Sequence, residues 1–180
     1  YFAGWPDKIN PIFGSVNPVA SSHFNFTILE PMGVVGIIAP EENSLLGLVS
    51  SIIPVILSGN TCVAIASEKL PLCAISLAEV ISNSDVPYGV VNIITGSKDE
   101  LAPHLAQHMD VNALGIKIDN KELKNKMFFQ AFNNLKRVVD VSKYKIEDSS
   151  FESPYIIKKF MEAKTTWHPI EKDFTSTNNY

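Results

Sequence analysis

Few residues of this chain combine a reactive type with a useful spacing. Its two cysteines, Cys62 and Cys73, are the candidates for a thiolate nucleophile. Cys62 falls inside an apolar run and Cys73 opens an amphipathic segment, so both read as scaffold thiols, and apolar surroundings disfavour the thiolate. Together they make neither a disulfide framework nor a metal spacing, which points to a reducing compartment. Of the four histidines, His23, His104, His108 and His168, two stand at i and i+4 on one expected helix, His104 and His108, with no third ligand in sight. No metal site is expected. Glu41, Glu42, Asn43 and Ser44 make a polar turn leading to a helix N-terminus, where acids are favourable. Glu68-Lys69 is a charged loop pair after a strand, and Asp119 and Asn120 are both helix N-cap types. Asn25-Phe26-Thr27 spells a glycosylation sequon, a triplet common by chance.

These residues are positioned by an alternation of strands and helices. Val34 to Ile38 is a nearly unbroken apolar run rich in β-branched residues, as for a strand covered on both faces. Leu45, Leu46, Val49, Ile52, Ile53 and Ile56 then recur at helical spacing up to Gly59-Asn60, a helix stop. Thr61 to Ala66 is again a short apolar strand. A crossover this short forces the two strands of such a βαβ unit to run parallel. Further on, Pro71 to Ser82, Lys98 to His108 and Asn120 to Asn134 predict helices, and Val90 to Ile94, Val111 to Leu114 and Leu135 to Val141 predict strands. The expected fold is α/β, a doubly wound parallel sheet with helices on both faces and Val34 to Ile38 near its centre. Ahead of it, Phe2 to Ile9 reads as the end of a helix. Ser21 to Glu30 alternates, with Phe24, Phe26 and Ile28 on one side and Asn25, Thr27 and Leu29 on the other. An apolar stripe of that kind, if exposed, calls for a partner.

The stretch from Pro31 to Glu68 resembles the aldehyde dehydrogenase superfamily. Pro40, Pro54, Gly59-Asn60-Thr61 and Glu68 stand where that family's pattern puts them. Pro71-Leu72, the segment VPYGVVNIITG from Val86 to Gly96, and HMDV from His108 to Val111 continue it. The likeness covers residues 1–142, an incomplete cofactor domain, and leaves 143–180 as a charged extension. It implies a Rossmann-like NAD-binding fold and a set of roles that this sequence fills poorly. The asparagine amide that donates to an oxyanion falls at Glu42, which offers no donor, with Asn43 next door. The ribose-binding lysine falls at Ile65, while its glutamate partner survives as Glu68, the residual cofactor-binding candidate. The Gly-Ser turn that admits a pyrophosphate falls at Ile118-Asp119, where a carboxylate repels phosphate. The general-base glutamate falls at Val141, beside Asp140, with Ser142-Lys143 in place of a Gly-Gly pair, and no cysteine follows Cys73. Within the superfamily the likeness narrows to the second, truncated dehydrogenase-like unit of aldehyde dehydrogenase family 16, through the early truncation and the segment FMEAKTTWHPI.

At 180 residues, 46% hydrophobic and a net charge of −4, the chain suits one soluble domain and shows no basic surplus for nucleic acid. Its longest apolar stretch, Leu45 to Leu57, is interrupted by Gly47, two serines and Pro54, so no membrane span is expected. There is no recognisable signal peptide, and a start at Tyr1 suggests a piece of a longer polypeptide. After Ser142 the composition turns charged. Pro154 to Lys164 predicts one helix with Ile156, Ile157, Phe160 and Met161 apolar, and Glu171 to Tyr180 a disordered tail. The expectation is a cytoplasmic pseudoenzyme with no catalytic residues and no cofactor, structural or partner-binding in role, either a homo-oligomer such as a dimer or docked on another domain of its own polypeptide. Two alternatives stand beside it. One is part of a working NAD(P)-dependent oxidoreductase acting on aldehydes, with NAD bound; the other is an adenine-nucleotide-binding module built on Glu68.

Overall fold

In chain order, the computed structural model contains α1 (Ile9–Phe13), β1 (Ser15–Asn17), β2 (His23–Pro31), β3 (Val34–Ile38), α2 (Ser44–Leu57), β4 (Thr61–Ile65), α3 (Leu72–Ser82), β5 (Val91–Ile94), α4 (Lys98–Gln107), β6 (Ala113–Ile116), α5 (Lys121–Phe132), β7 (Arg137–Asp140), α6 (Pro154–Lys158) and β8 (Met161–Pro169). Residues 1–145 and 151–170 are described. Five strands form one sheet in the order β5-β4-β3-β6-β7, every pair parallel. β3 is its middle strand. The apolar run of β3 is buried because helices cover both faces of the sheet. Val35 and Ile37 pack with Leu48, Ile52 and Val55 of α2 and Ala74 of α3, whereas Ile38 joins Ala102 and Ala106 of α4 and Leu123 and Met127 of α5. The Rossmann-like α/β architecture read from the sequence is the one observed.

Two strand boundaries shift for identifiable reasons. β6 starts at Ala113 because the Val111 N–H is already committed to the His108 carbonyl in a turn, 3.2 Å away. β7 starts at Arg137 because Leu135 adopts a positive φ of 56° at the end of α5, and the Lys136 N–H reaches back to Ala131 O.

The larger correction lies in the C-terminal segment. The helix expected through Lys164 stops at Lys158, and Met161–Pro169 is a strand that pairs antiparallel with β2 along its whole length. The apolar positions do bury, but in two places. Ile156 and Phe160 enter the core beneath α2, while Ile157 and Met161 pack with Ile9 and Leu29. β2 offered an unpaired edge, and backbone groups on such an edge favour a strand as the next element. The expected tail from Glu171 to Tyr180 lies outside the described residues. β1, β2 and β8 form a second sheet of three strands. Within β2 the side carrying Asn25 and Leu29 faces the body, and the Phe24, Phe26 and Ile28 side faces outward. Asn25 is 2% exposed, so its sequon is closed to modification in the folded chain.

One buried amide ties these parts together. Asn60, 2% exposed, follows α2. Its Oδ1 accepts the N–H groups of Met32 and Gly33 at 2.7 and 2.8 Å, and its Nδ2 donates to Ser58 Oγ and to Phe160 O at 2.7 and 2.8 Å. The turn before β3, the end of α2 and the start of β8 therefore share one side chain. Gly33 is required beside it. Its φ is +123°, and a Cβ there would lie 2.4 Å from Asn112 Oδ1. Replacing Asn60 with leucine strands two part-buried N–H groups and one buried carbonyl, and we expect a loss of about 2–3 kcal/mol in urea unfolding. The N-cap change Asn120→Ala, which frees the N–H groups of Glu122 and Leu123, should cost about 1 kcal/mol in the same measurement.

Candidate functional site

In a doubly wound sheet, ligands settle beyond the carboxyl ends of the strands, where the order of strands reverses. Here that place is occupied by a polar cleft of about 510 Å³ lined by Glu41, Glu42, Glu68, Lys69, Lys98, Asp99, Lys117, Ile118, Asp119, Asn120 and Leu123. The loops after β3, β4, β5 and β6 all open into it.

Its central feature is a clasp around Glu41. The Glu41 carboxylate accepts Ser67 Oγ–H at 2.8 Å, Lys69 N–H at 3.1 Å and Glu68 N–H at 3.3 Å, and it pairs with the Lys98 ammonium. Lys98 Nζ also donates to the Ala39 carbonyl at the end of β3, at 2.5 Å. Across the cleft, Glu68 Oε2 accepts the backbone N–H of Lys98 at 3.0 Å and so caps the first turn of α4. Burial works to raise the Glu41 pKa, but the hydrogen bonds from Lys98, Lys69, Ser67 and Glu68 overcome it and hold the carboxyl at about 2 instead of 4.5.

The floor of the cleft is fixed in the same manner. Asn120 is the N-cap of α5 and accepts from the N–H groups of Glu122 and Leu123. The Ile118 N–H donates to Ser142 Oγ at 3.2 Å, and the hydroxyl returns a bond to Ile118 O. Asp140 pairs with Lys124 of α5 and accepts the Ser142 N–H at 2.9 Å. Burial opposes its ionisation, yet the Lys124 and Ser142 contacts lower its pKa.

Comparison with known proteins gives this cleft a lineage. The sequence profile of the aldehyde dehydrogenase family matches residues 1–139. This chain belongs to the aldehyde dehydrogenase family. It is 36% identical over 138 residues to aldehyde dehydrogenase, cytosolic 1, of Elephantulus edwardii, covering 77% of this chain and 27% of that protein. It is also 36% identical over 142 residues to human cytosolic 10-formyltetrahydrofolate dehydrogenase, covering 77% of this chain and 15% of that protein. Among solved structures, PnpE from Pseudomonas sp. WBC-3 superposes with a TM-score of 0.69 at 31% identity, over 78% of this chain and 28% of that one. The NAD+ complex of an aldehyde dehydrogenase from Bacillus cereus gives 0.69 at 27% identity, over the same shares. The chain thus spans about a quarter of the length of its single-unit relatives.

The aldehyde dehydrogenase positions distribute unevenly over the cleft. Glu42, Glu68, Ile118 and Asp119 line it. Ile65 is buried at the end of β4 among Ile38, Leu114 and Ile116, and Val141 is buried on the opposite face of the sheet with Phe151 and Ile156. Asn43 precedes α2 in the left-handed region at φ 51°. Cys62 is fully buried in β4, and burial raises its thiol to about 11 against a weaker opposing contact from Asn92. His104 and His108 sit on the rim of a separate apolar groove along α4, of about 330 Å³, and no group of three metal-ligating side chains occurs among the described residues.

Sequence reasoning missed Glu41 and Lys98. Glu41 looked like one more acid of a polar turn, since its partners lie far along the chain. Lys98 carried a signal: a cation in the first turn of a helix opposes the helix dipole, so something else must hold it.

Two outcomes follow for this cleft. The folded Glu41 pKa lies below its unfolded value, so its stabilisation is complete above about pH 4.5 and is lost as the pH falls towards 2. The stability difference between the wild type and Glu41→Gln, measured by denaturant titration across that interval, should shrink to nothing at its acid end. For the thiols, Ellman's reagent should modify partly buried Cys73 in the native chain and reach Cys62 only after unfolding.

Proposed function

We propose that this chain is a non-catalytic scaffold unit of the aldehyde dehydrogenase family, which binds NAD weakly or not at all and serves assembly or partner binding in the cytoplasm. The carrying observation is the Glu41 clasp. It commits Glu41, Ser67, Lys69 and Lys98 to one another and Glu68 to the N-terminus of α4. The residues of the cleft do not fit a dinucleotide. A ribose would find no donor at position 65, where Ile65 is buried in the core, but a glutamate already bonded and an ammonium turned towards Ala39 O. A pyrophosphate would meet the Ile118-Asp119 turn, where a side chain crowds the backbone and a carboxylate repels the anion. An aldehyde would find Glu42 where an oxyanion needs a hydrogen-bond donor, and Val141, buried in the core, where water needs a base.

The finer assignment within this proposal is to units like the second, truncated dehydrogenase-like part of aldehyde dehydrogenase family 16, with any aldehyde oxidation carried out by another polypeptide or domain. A second reading is favoured by one observation. Solved relatives have been captured with NAD, including PnpE in complex with nicotinamide adenine dinucleotide and the NAD+ complex of the Bacillus cereus enzyme. On that reading the cleft closes over NAD within a working oxidoreductase.

One pair of measurements separates them. The purified chain, given NAD and short or long aldehydes, should produce no NADH above a heat-killed control, and calorimetric titration with NAD should show no binding below millimolar concentration. Turnover, or micromolar binding, would establish the second reading. Lys98→Ala should destabilise the fold by about 2 kcal/mol, by leaving the Glu41 charge unpaired, without creating NAD affinity.

A further inference from the structure

The two faces of the five-stranded sheet are covered unequally. Residues of α2, α3 and α6 pack on one face, and only those of α4 and α5 pack on the other. The connection from β5 to β6 has to cross β4 and β3. α4 makes that crossing where Gly36 of β3 lets Leu105 come close, since a Cβ at Gly36 would lie 2.8 Å from Leu105 Cδ2. Seated there and packed along α5, α4 leaves the β4–β5 half of this face open, with Val63 half-buried and Ile94 41% exposed.

The result is the groove of about 330 Å³ beside α4, floored by Val34, Val63, Ile65 and Ile94 and walled by Leu101 and Leu105. Its polar lining residues, His104, His108 and Asp110, belong to the last turn of α4 and the loop that follows. The dimensions of the groove select its occupant. Val34 pairs with Thr61, so from its level to that of Ile65 is four strand residues, about 13 Å, and Leu101 to His108 spans about 10 Å. Volume over that length leaves a cross-section of roughly 25–30 Å². A helix, about 10 Å across, is too wide, and so is a peptide strand, which occupies about 4.8 Å by 10 Å in stacked sheets. A single aliphatic chain fits. A cavity of about 150 Å³ holds the six carbons of benzene, and carbon–carbon bonds run about 1.5 Å, so volume and length both correspond to about ten carbons in a row.

We propose that this groove binds a medium-chain primary alcohol, one straight chain of about ten carbons laid along β4 with its hydroxyl at the C-terminal end of α4. The rim there calls for a head that both donates and accepts. His108 Nδ1 accepts the Asp110 N–H at 3.3 Å, which leaves Nε2–H as the donor of the ring, and the Asp110 carboxylate accepts. A hydroxyl satisfies both. A carboxylate head would be repelled by Asp110, and an ammonium offers the imidazole N–H no acceptor. None of these residues lines the polar cleft, so the site does not depend on whether that cleft holds NAD.

The test is calorimetric titration of the full chain with a series of 1-alkanols. Each added methylene should tighten binding about fourfold from 1-hexanol to 1-decanol, and the gain should stop there, because later methylenes remain in water. 1-Decanol should raise the melting temperature, and decanoate and decylamine should bind more weakly than it does. Ile94→Asp puts a charge in the floor and should abolish binding. Val63→Phe fills the groove and should abolish it with no loss of melting temperature. If either variant fails to fold, the break in the chain-length series decides the matter. No binding of 1-decanol at its solubility limit, a gain that continues through 1-tetradecanol, decanoate binding as tightly as 1-decanol, or undiminished binding by folded Val63→Phe would overturn the proposal.

Discussion

The Asn60 amide is the constraint on which the rest of the structure depends. A side-chain amide is suited to it, because one end accepts and the other donates. Its oxygen holds two successive N–H groups at the entry to β3, and its nitrogen holds the end of α2 and the carbonyl of Phe160. An aspartate of the same size would repel the Phe160 carbonyl, and a leucine would leave that buried carbonyl without its donor. By fixing where β3 begins and where β8 departs, this residue sets the two sheets relative to each other, and with them the cleft at the far end of β3.

At that far end the charged side chains of the cleft are engaged with the chain's own loops. A carboxylate has a limited number of lone pairs, and a lysine a limited number of protons. In the Glu41 clasp they are spent on the chain's own loops. The gain is a rigid loop after β4 and a capped α4. The clasp thereby braces the ends of β3 and β4 against α4.

The fold was legible where a local period reflected a two-sided environment. The β-branched run of β3 and the helical spacing of α2 each report burial against neighbours that never change along the element. Legibility failed where environment changes within a few residues. Ile156, Ile157, Phe160 and Met161 have helical spacing, yet they serve two different clusters, and the strand that follows is exposed on both faces, so it shows no alternation. In the cleft, the residues expected to line it were visible from the sequence, as at Glu42 and Asp119. The residues that form the clasp were not. Glu41 and Lys98 are 57 positions apart, and nothing near either one announces the other.

The pairing of β2 with β8 has a consequence for how the molecule is made. Thr27 and Thr165, hydrogen-bonded across that ladder, are separated by 138 of the chain's 180 residues. During synthesis β2 emerges before β8 and must wait, edge exposed, while the parallel sheet forms behind it. Closing so long a loop adds only slowly to the entropic cost, but contacts this distant in sequence delay folding. The nascent chain is thus most prone to misassociate in the interval after β7 has been made and before β8 arrives, when a chaperone would have the most to protect.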